Sequence, residues 1–147
     1  MAEHLDRGPA RPHAEADPET HPEAGGAVVE FVLVSILLLT LLLAVLQVAV
    51  YVHVRNVVAA SAQEGARYAA STDVAVSAGA GRTTDLVAAA VSRGTAAGLV
   101  CSSEEAVDET GLDVVVVHCR GSVPTLLAGL GDLLPVEVTG RAVREGA

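Results

Sequence analysis

The sequence predicts an α+β protein, in which a long N-terminal transmembrane and stem helix precedes a small module of one helix and a short antiparallel β-sheet. An uncharged apolar run covers residues 31–52, and an alanine-rich stretch without proline continues to residue 70. Beyond residue 98, valine-rich segments of strand length replace the helical pattern. The predicted domains are an acidic leader at 1–25, the transmembrane and stem helix at 26–70, a linker at 71–83 and the module at 84–147.

The leader is rich in proline, alanine, acidic residues and histidine and shows no apolar period. Such a composition cannot bury enough apolar surface to offset the entropy lost on ordering, so we expect it to be disordered. His4, His13 and His21 lie near carboxylates, but their wide spacing on a flexible chain fits no compact metal site. A solvated tail is the better interpretation.

The apolar run, FVLVSILLLTLLLAVLQVAVYV, contains no Asp, Glu, Lys or Arg. As a helix it would be about 33 Å long, enough for the hydrocarbon core of a bilayer. A helix buried in a globular core is the alternative, but 147 residues with one Phe and no Trp offer little core to surround it. An ordinary secretory signal fits poorly, because the leader is acidic and the run is too long. The lipid bilayer is therefore an expected partner.

A glutamate stands directly before this run, in the sequence GGAVVEF at residues 25–31. A carboxylate at the edge of a spanning helix is costly and is often functional. The alternative is that Glu30 simply lies at headgroup level with the polar leader. The segment resembles the processing site of type IV pilin-like proteins. That resemblance implies cleavage by a prepilin peptidase between Gly25 and Gly26, which leaves Glu30 as the fifth mature residue, and Phe31 takes the place of the aromatic usual in Flp-type pilins.

A second segment, VVAASAQEGARYAA at residues 57–70, follows the apolar run. Together the two segments resemble the TadE-like family of the tight-adherence (Tad/Flp) pilus systems. The resemblance implies a minor pseudopilin, a structural component of such a pilus or secretion machine. The implied partners are the prepilin peptidase, other pilins or pseudopilins, and the platform proteins of the inner membrane.

Small residues recur along one side of this second segment, at Ser61, Gly65 and Ala69. Small side chains four residues apart allow two helix backbones to approach closely. The alternative is an alanine-rich helix with good intrinsic propensity and no packing role. The sequence leaves both interpretations open.

Two further patterns predict the module. Ser, Thr and Gly residues at 71–83 favour a linker, Thr84 and Asp85 favour a helix start, and Gly98 favours its end. Residues 112–119 and 136–143 predict strands, and a third strand is expected around 99–107. We expect an apolar connection at 126–134 with about one helical turn. A module of this size is too small to be stable through its core alone.

Cys101 and Cys119, the only cysteines, flank the valine-rich strand. A disulfide between them would stabilise the module by about 3 kcal/mol. Two buried thiols are the alternative, and a zinc site is not expected because the C-x₂-C pattern is absent. Arg55 and Arg67 follow the apolar run and favour a cytoplasmic C-terminus. The cysteine pair and the cytoplasmic action of prepilin peptidases instead favour an extracytoplasmic module. We adopt this orientation for a single-pass protein of the cell membrane, which could then be extracted into a pilus.

No enzymatic function is expected, because the sequence has no P-loop, G-x-S-x-G or H-E-x-x-H motif. We expect no catalytic residues, metal or cofactor, and the net charge of −9 argues against nucleic-acid binding. Glu104, Glu105, Asp108 and Glu109 favour a solvated acidic turn over a Ca²⁺ site. The alternative function is an unprocessed single-pass anchor whose outer module binds a protein partner; a carrier released by signal peptidase near Ala59 fits less well.

Overall fold

The computed structural model describes residues 23–123 and 134–146. Its elements in chain order are α1 (Glu23–Ala70), α2 (Ala78–Ala90), α3 (Arg93–Ala97), β1 (Leu99–Val107), β2 (Asp113–Val123) and β3 (Leu134–Val143). The internal contacts divide the chain between Leu37 and Leu38. The first unit contains the described start of α1. The second unit contains the rest of α1, together with α2, α3 and the sheet.

The apolar run is helical throughout, and most of its side chains are exposed. By length and composition, this helix is apolar enough over Gly25–Ala70 to cross a membrane. No turn or break separates the apolar run from the stem up to Ala70, because the sequence contains no proline or helix-stopping glycine motif there. The predicted class, a long apolar helix followed by an α+β module, is confirmed.

The sheet is antiparallel, in the order β1-β2-β3. The third predicted strand is confirmed at 99–107. Strand β2 continues four residues past its predicted end at 119, and β3 begins two residues before its predicted start at 136. Val115, Val117 and Cys119 of the central strand point to one face and are buried. Helices α1 and α2 cover this face, because Val117 and Cys119 share a buried cluster with Ala66 and Val87, and Val115 shares another with Ala69 and Ala70.

The predicted single helix at 84–98 and the linker at 71–83 are corrected in two places. Helix α2 begins at Ala78, so its first residues fall within the predicted linker. Thr84 does not cap a helix; its hydroxyl donates to the carbonyl of Gly81, 2.8 Å away, inside α2. The helix also breaks before Ser92, whose extended backbone starts α3 and whose side chain accepts a hydrogen bond from the N–H of Thr95.

The stem part of α1 runs side by side with β3. At one end the Tyr51 hydroxyl donates to the carbonyl of Pro135 at 3.1 Å. At the other end the N–H of Glu145 donates to the carbonyl of Ala70 at 3.0 Å. Gly140 permits the close approach between them, because a Cβ there would lie 2.5 Å from the backbone nitrogen of Gln63. Helix and strand therefore share one direction, and the end of the sheet between Val123 and Leu134 lies beside the end of the apolar run.

The leader at 1–22, with its three histidines, and most of the predicted connection at 126–134 lie outside the described residues. The predicted division into four domains stays a prediction.

Candidate functional site

The segment that resembles a processing site lies in the first unit, at the start of α1. Glu30 and Phe31 are exposed on this helix. A Cβ added at Gly25 or at Gly26 would meet nothing within 4 Å. Within the described part of the chain, this segment is therefore open to another protein, and the Gly25–Gly26 peptide bond lies in the first turn of α1, where end fraying is common.

The small-residue stripe lies in the second unit, under α2 of the same chain. Ser61, Gly65 and Ala69 are all buried there. A Cβ at Gly65 would overlap the hydroxyl of Thr83 and would lie 2.6 Å from the carbonyl oxygen of Gly79. A Cβ at Gly79 would lie 3.0 Å from the Cβ of Ala69. The stripe thus allows a backbone-to-backbone approach between α1 and α2, and packing of these residues between subunits stays a prediction.

Two hydroxyl groups reinforce this contact. The Thr83 hydroxyl is buried and lies 2.9 Å from the carbonyl oxygen of Gly79 and 3.3 Å from that of Ser61. The Ser103 hydroxyl on β1 donates to the carbonyl of Val76 at 2.7 Å, and its oxygen lies 3.4 Å from the N–H of Ala80. Because Ser77 provides no side-chain cap, Ser103 takes over part of the capping of α2 from a distant strand.

Gln63 connects the EGAR-containing part of α1 to the open edge of β3. Its side-chain N–H donates to the carbonyl of Arg141 at 2.5 Å, and its side-chain oxygen accepts from the N–H of Arg141 at 3.2 Å. The amide therefore satisfies the two backbone groups that a fourth strand would otherwise pair. This closes part of an edge that is otherwise prone to unwanted strand pairing.

Cys101 and Cys119 form a disulfide. They stand directly opposite each other in the register of β1 and β2, and both face the core. Cys119 is almost fully buried, whereas Cys101 is half-buried. The bridge links an edge strand to the central strand inside a small core, where a covalent constraint contributes most.

The polar residues that could have suggested chemistry have structural roles. Asp108 lies in the turn between β1 and β2, and its pKa is held below its ordinary value. The main cause is the hydrogen bond that its carboxylate accepts from the Thr110 hydroxyl, and the second is the one from the N–H of Leu112. His118 points away from Cys119 and lies 3.1 Å from the hydroxyl of Thr139. Among the described residues, no group of three or more His, Cys, Asp or Glu side chains could hold a metal ion.

Residues 25–67 match the family model for TadE-like proteins. The match confirms the resemblance to the TadE-like family, and it covers the glycine pair, Glu30, the apolar run and Gln63. The match suggests a component associated with the Tad pilus, and the apolar helix, by its length and composition, suggests anchoring in the membrane. No curated protein and no solved structure gives a significant match to the chain. The α2–β3 module lies beyond the matched residues.

The sequence analysis did not identify Gln63, Thr83, Ser103 or Tyr51 as structurally important. Each makes a hydrogen bond across more than twenty residues of chain, so no local pattern marks it. One local signal was present: Ser92 and Thr95 form a capping pair that could have indicated the break between α2 and α3.

Proposed function

We propose that this protein is a TadE-like minor pseudopilin that takes part in building a Tad (Flp) pilus or a related secretion machine. A prepilin peptidase would remove the acidic leader after Gly25. The mature chain would then assemble with other pilins or pseudopilins and with the platform proteins of the inner membrane. Its role would be structural, with the module of α2, α3 and the sheet outside the cytoplasm.

The family match over residues 25–67 carries this proposal. It begins at Gly25, so the acidic leader lies outside the matched residues, and it continues through the apolar run into the stem. A match of the apolar run alone would have little meaning, because many membrane anchors share that composition. Here both the glycine–glutamate segment and the stem lie inside the matched range.

Cleavage after Gly25 would also give Glu30 a physical role. It would create an ammonium group at Gly26, and burying that charge in a bundle of helices without a partner is prohibitive. Glu30 lies four residues further along α1, one helical turn away. Its carboxylate could pair with the ammonium of its own chain or of a neighbouring subunit. Removing one partner of such a pair typically costs ~3–5 kcal/mol, since the other charge is left without compensation.

The test compares Glu30→Ala with Glu64→Ala in cells that assemble the pilus. Glu64 is an exposed carboxylate of the same helix and serves as the matched control. We expect the Glu30→Ala protein to insert into the membrane and be cleaved but to be missing from assembled filaments, and the Glu64→Ala protein to assemble. Normal assembly of cleaved Glu30→Ala protein would contradict the proposed role of this carboxylate.

The second candidate is an unprocessed single-pass anchor whose module binds a protein partner. The α2–β3 module favours it in one respect, because this part of the chain lies beyond the TadE-like match and has a compact disulfide-linked core. An anchor would retain its leader and would show no effect of Glu30→Ala on its complexes. Release as a soluble carrier is disfavoured, because Ser61 beside the nearest cleavage candidate is buried under α2.

A further inference from the structure

The end of the module that lies beside the apolar run carries a set of exposed arginines. Helix α3 joins α2 to β1 at this end. Strand β2 ends there, and strand β3 begins there. The arginines are Arg55 on α1, Arg93 on α3 and Arg120 on β2. Among the described residues, two acidic side chains lie near these arginines: Glu137 is opposite Arg120 in the register of β2 and β3, and Asp85 lines one cleft together with Arg93.

The acidic residues concentrate at the opposite end, around the turn between β1 and β2 and the end of β3. They are Glu104, Glu105, Asp108, Glu109, Asp113 and Glu145. Two arginines also lie at that end: Arg144 is paired with Glu105, and Arg141 lines a cleft with Asp108 and Glu109. Among the described residues, the module therefore has a charge gradient along its sheet, with an excess of positive charge toward the apolar run and an excess of negative charge away from it.

The position of the bilayer surface follows from α1. If the apolar run fills the hydrocarbon core, the headgroup layer adds about 5–7 Å on each side. At ~1.5 Å per residue, this layer extends about three to five residues beyond Val52, to between Arg55 and Val57. Tyr51 bonds Pro135 at the start of β3, and Glu137 lies about 7 Å further along the strand. Arg120 and Glu137 are therefore at the level of Arg55, at the outer boundary of the headgroups.

We propose that this end of the module enters the headgroup layer of the bilayer in which α1 is anchored, with Arg55, Arg93 and Arg120 contacting the phosphates of anionic lipids. The continuous helix fixes the distance, since no linker separates the module from the apolar run. The charge gradient orients the module, because an anionic surface attracts its arginine end and repels its acidic end. The inference depends on insertion of α1 but not on its direction, on cleavage or on pilus assembly.

The absence of tryptophan from the chain allows a direct test with a single introduced fluorophore. Val100 and Val107 lie at opposite ends of β1, and their side chains are 72% and 66% exposed. They are separated by about 23 Å along the strand. Val100→Trp places the fluorophore at the arginine end, and Val107→Trp is the control at the acidic end, with the same substitution in the same strand.

Each full-length variant is reconstituted into vesicles of phosphatidylglycerol and phosphatidylcholine whose acyl chains are brominated next to the headgroup. Bromine is present in both leaflets, so the direction of insertion does not affect the result. We expect several-fold stronger quenching in Val100→Trp than in Val107→Trp. Equal quenching in the two variants would overturn the proposed contact with the bilayer.

The role of lipid charge is tested in the Val100→Trp background with two pairs of substitutions. Arg55→Gln with Arg120→Gln removes two charges from the proposed contact, one on α1 and one on the sheet. Arg67→Gln with Arg141→Gln removes two exposed charges further from the bilayer, again one on α1 and one on the sheet. We expect only the first pair, or replacement of phosphatidylglycerol by phosphatidylcholine, to reduce the quenching. If neither pair of substitutions changes the quenching, the assignment to anionic phosphates is overturned. Formation of the Cys101–Cys119 disulfide verifies that each variant is folded.

Discussion

Substitution of Gly65 by alanine should destabilise the module, although alanine is the better helix former. The added Cβ would lie 2.6 Å from the carbonyl oxygen of Gly79 and would overlap the hydroxyl of Thr83. Helix α2 would have to move away, at a cost of ~1–3 kcal/mol for overpacking. Thr83 would also lose part of its contact with Gly79 and Ser61, worth about 1 kcal/mol.

Alanine returns about 0.5–1 kcal/mol of this through its higher helix propensity. The expected net loss in the free energy of unfolding is therefore about 2 kcal/mol. Gly81→Ala is the matched control, because Gly81 lies in α2 and a Cβ there would meet nothing within 4 Å. That variant should gain about 0.5–1 kcal/mol from the same change in propensity.

The free energy of unfolding can be measured on the full chain in mild detergent by a urea titration with pulse proteolysis. The micelle maintains the apolar helix, so cleavage reports unfolding of the module. Gly65→Ala should shift the midpoint to lower urea concentration, and Gly81→Ala should leave it unchanged or raise it. Equal or greater stability of Gly65→Ala than of Gly81→Ala would refute the close α1–α2 packing.

Three further predictions concern the disulfide, Gln63 and the topology. Cys101→Ser and Cys119→Ser should each lower the free energy of unfolding by ~2–4 kcal/mol and the double substitution by little more, because either one removes the whole crosslink; additive effects in urea titrations would indicate two independent thiols. Gln63→Ala should lower the free energy of unfolding by about 1–2 kcal/mol, because two hydrogen bonds to Arg141 are lost. Glu64→Ala should change it by less than about 0.5 kcal/mol. Equal effects of the two substitutions would contradict the anchoring role of Gln63. A membrane-impermeant thiol reagent, applied after reduction to intact cells with a permeable wall, should label both cysteines, and labelling only after lysis would place the module in the cytoplasm.

The features predicted well from sequence are those with a strong one-dimensional pattern. The apolar helix follows from an uncharged run, and the central strand follows from consecutive valines between the cysteines. The pairing of Cys101 with Cys119 was favoured because they are the only two cysteines, flank the valine-rich strand and belong to a module too small to be stable through its core alone. In each case the information lies in adjacent residues.

The start of α2 was missed because glycine disfavours a helix by its intrinsic propensity but is needed where two helices pack closely. Gly79 and Gly81 each disfavour a helix by about 1 kcal/mol, so the sequence predicted a linker. Gly79 is instead required where α2 contacts Gly65 and Ala69, and Ser103 on β1 supports the first turn of the helix. Neither contact can be deduced from residues 71–83 alone, because both partners are distant in the chain.

The mature N-terminus is the most direct test of the account as a whole, since a pilin-like protein and a simple anchor differ there before any assembly occurs. Mass spectrometry of the protein extracted from membranes should give a chain that begins at Gly26, and Gly25→Ala should yield the uncleaved chain. A wild-type chain that begins at Met1 or Ala2, in cells with an active prepilin peptidase, would contradict the assignment as a processed TadE-like pseudopilin.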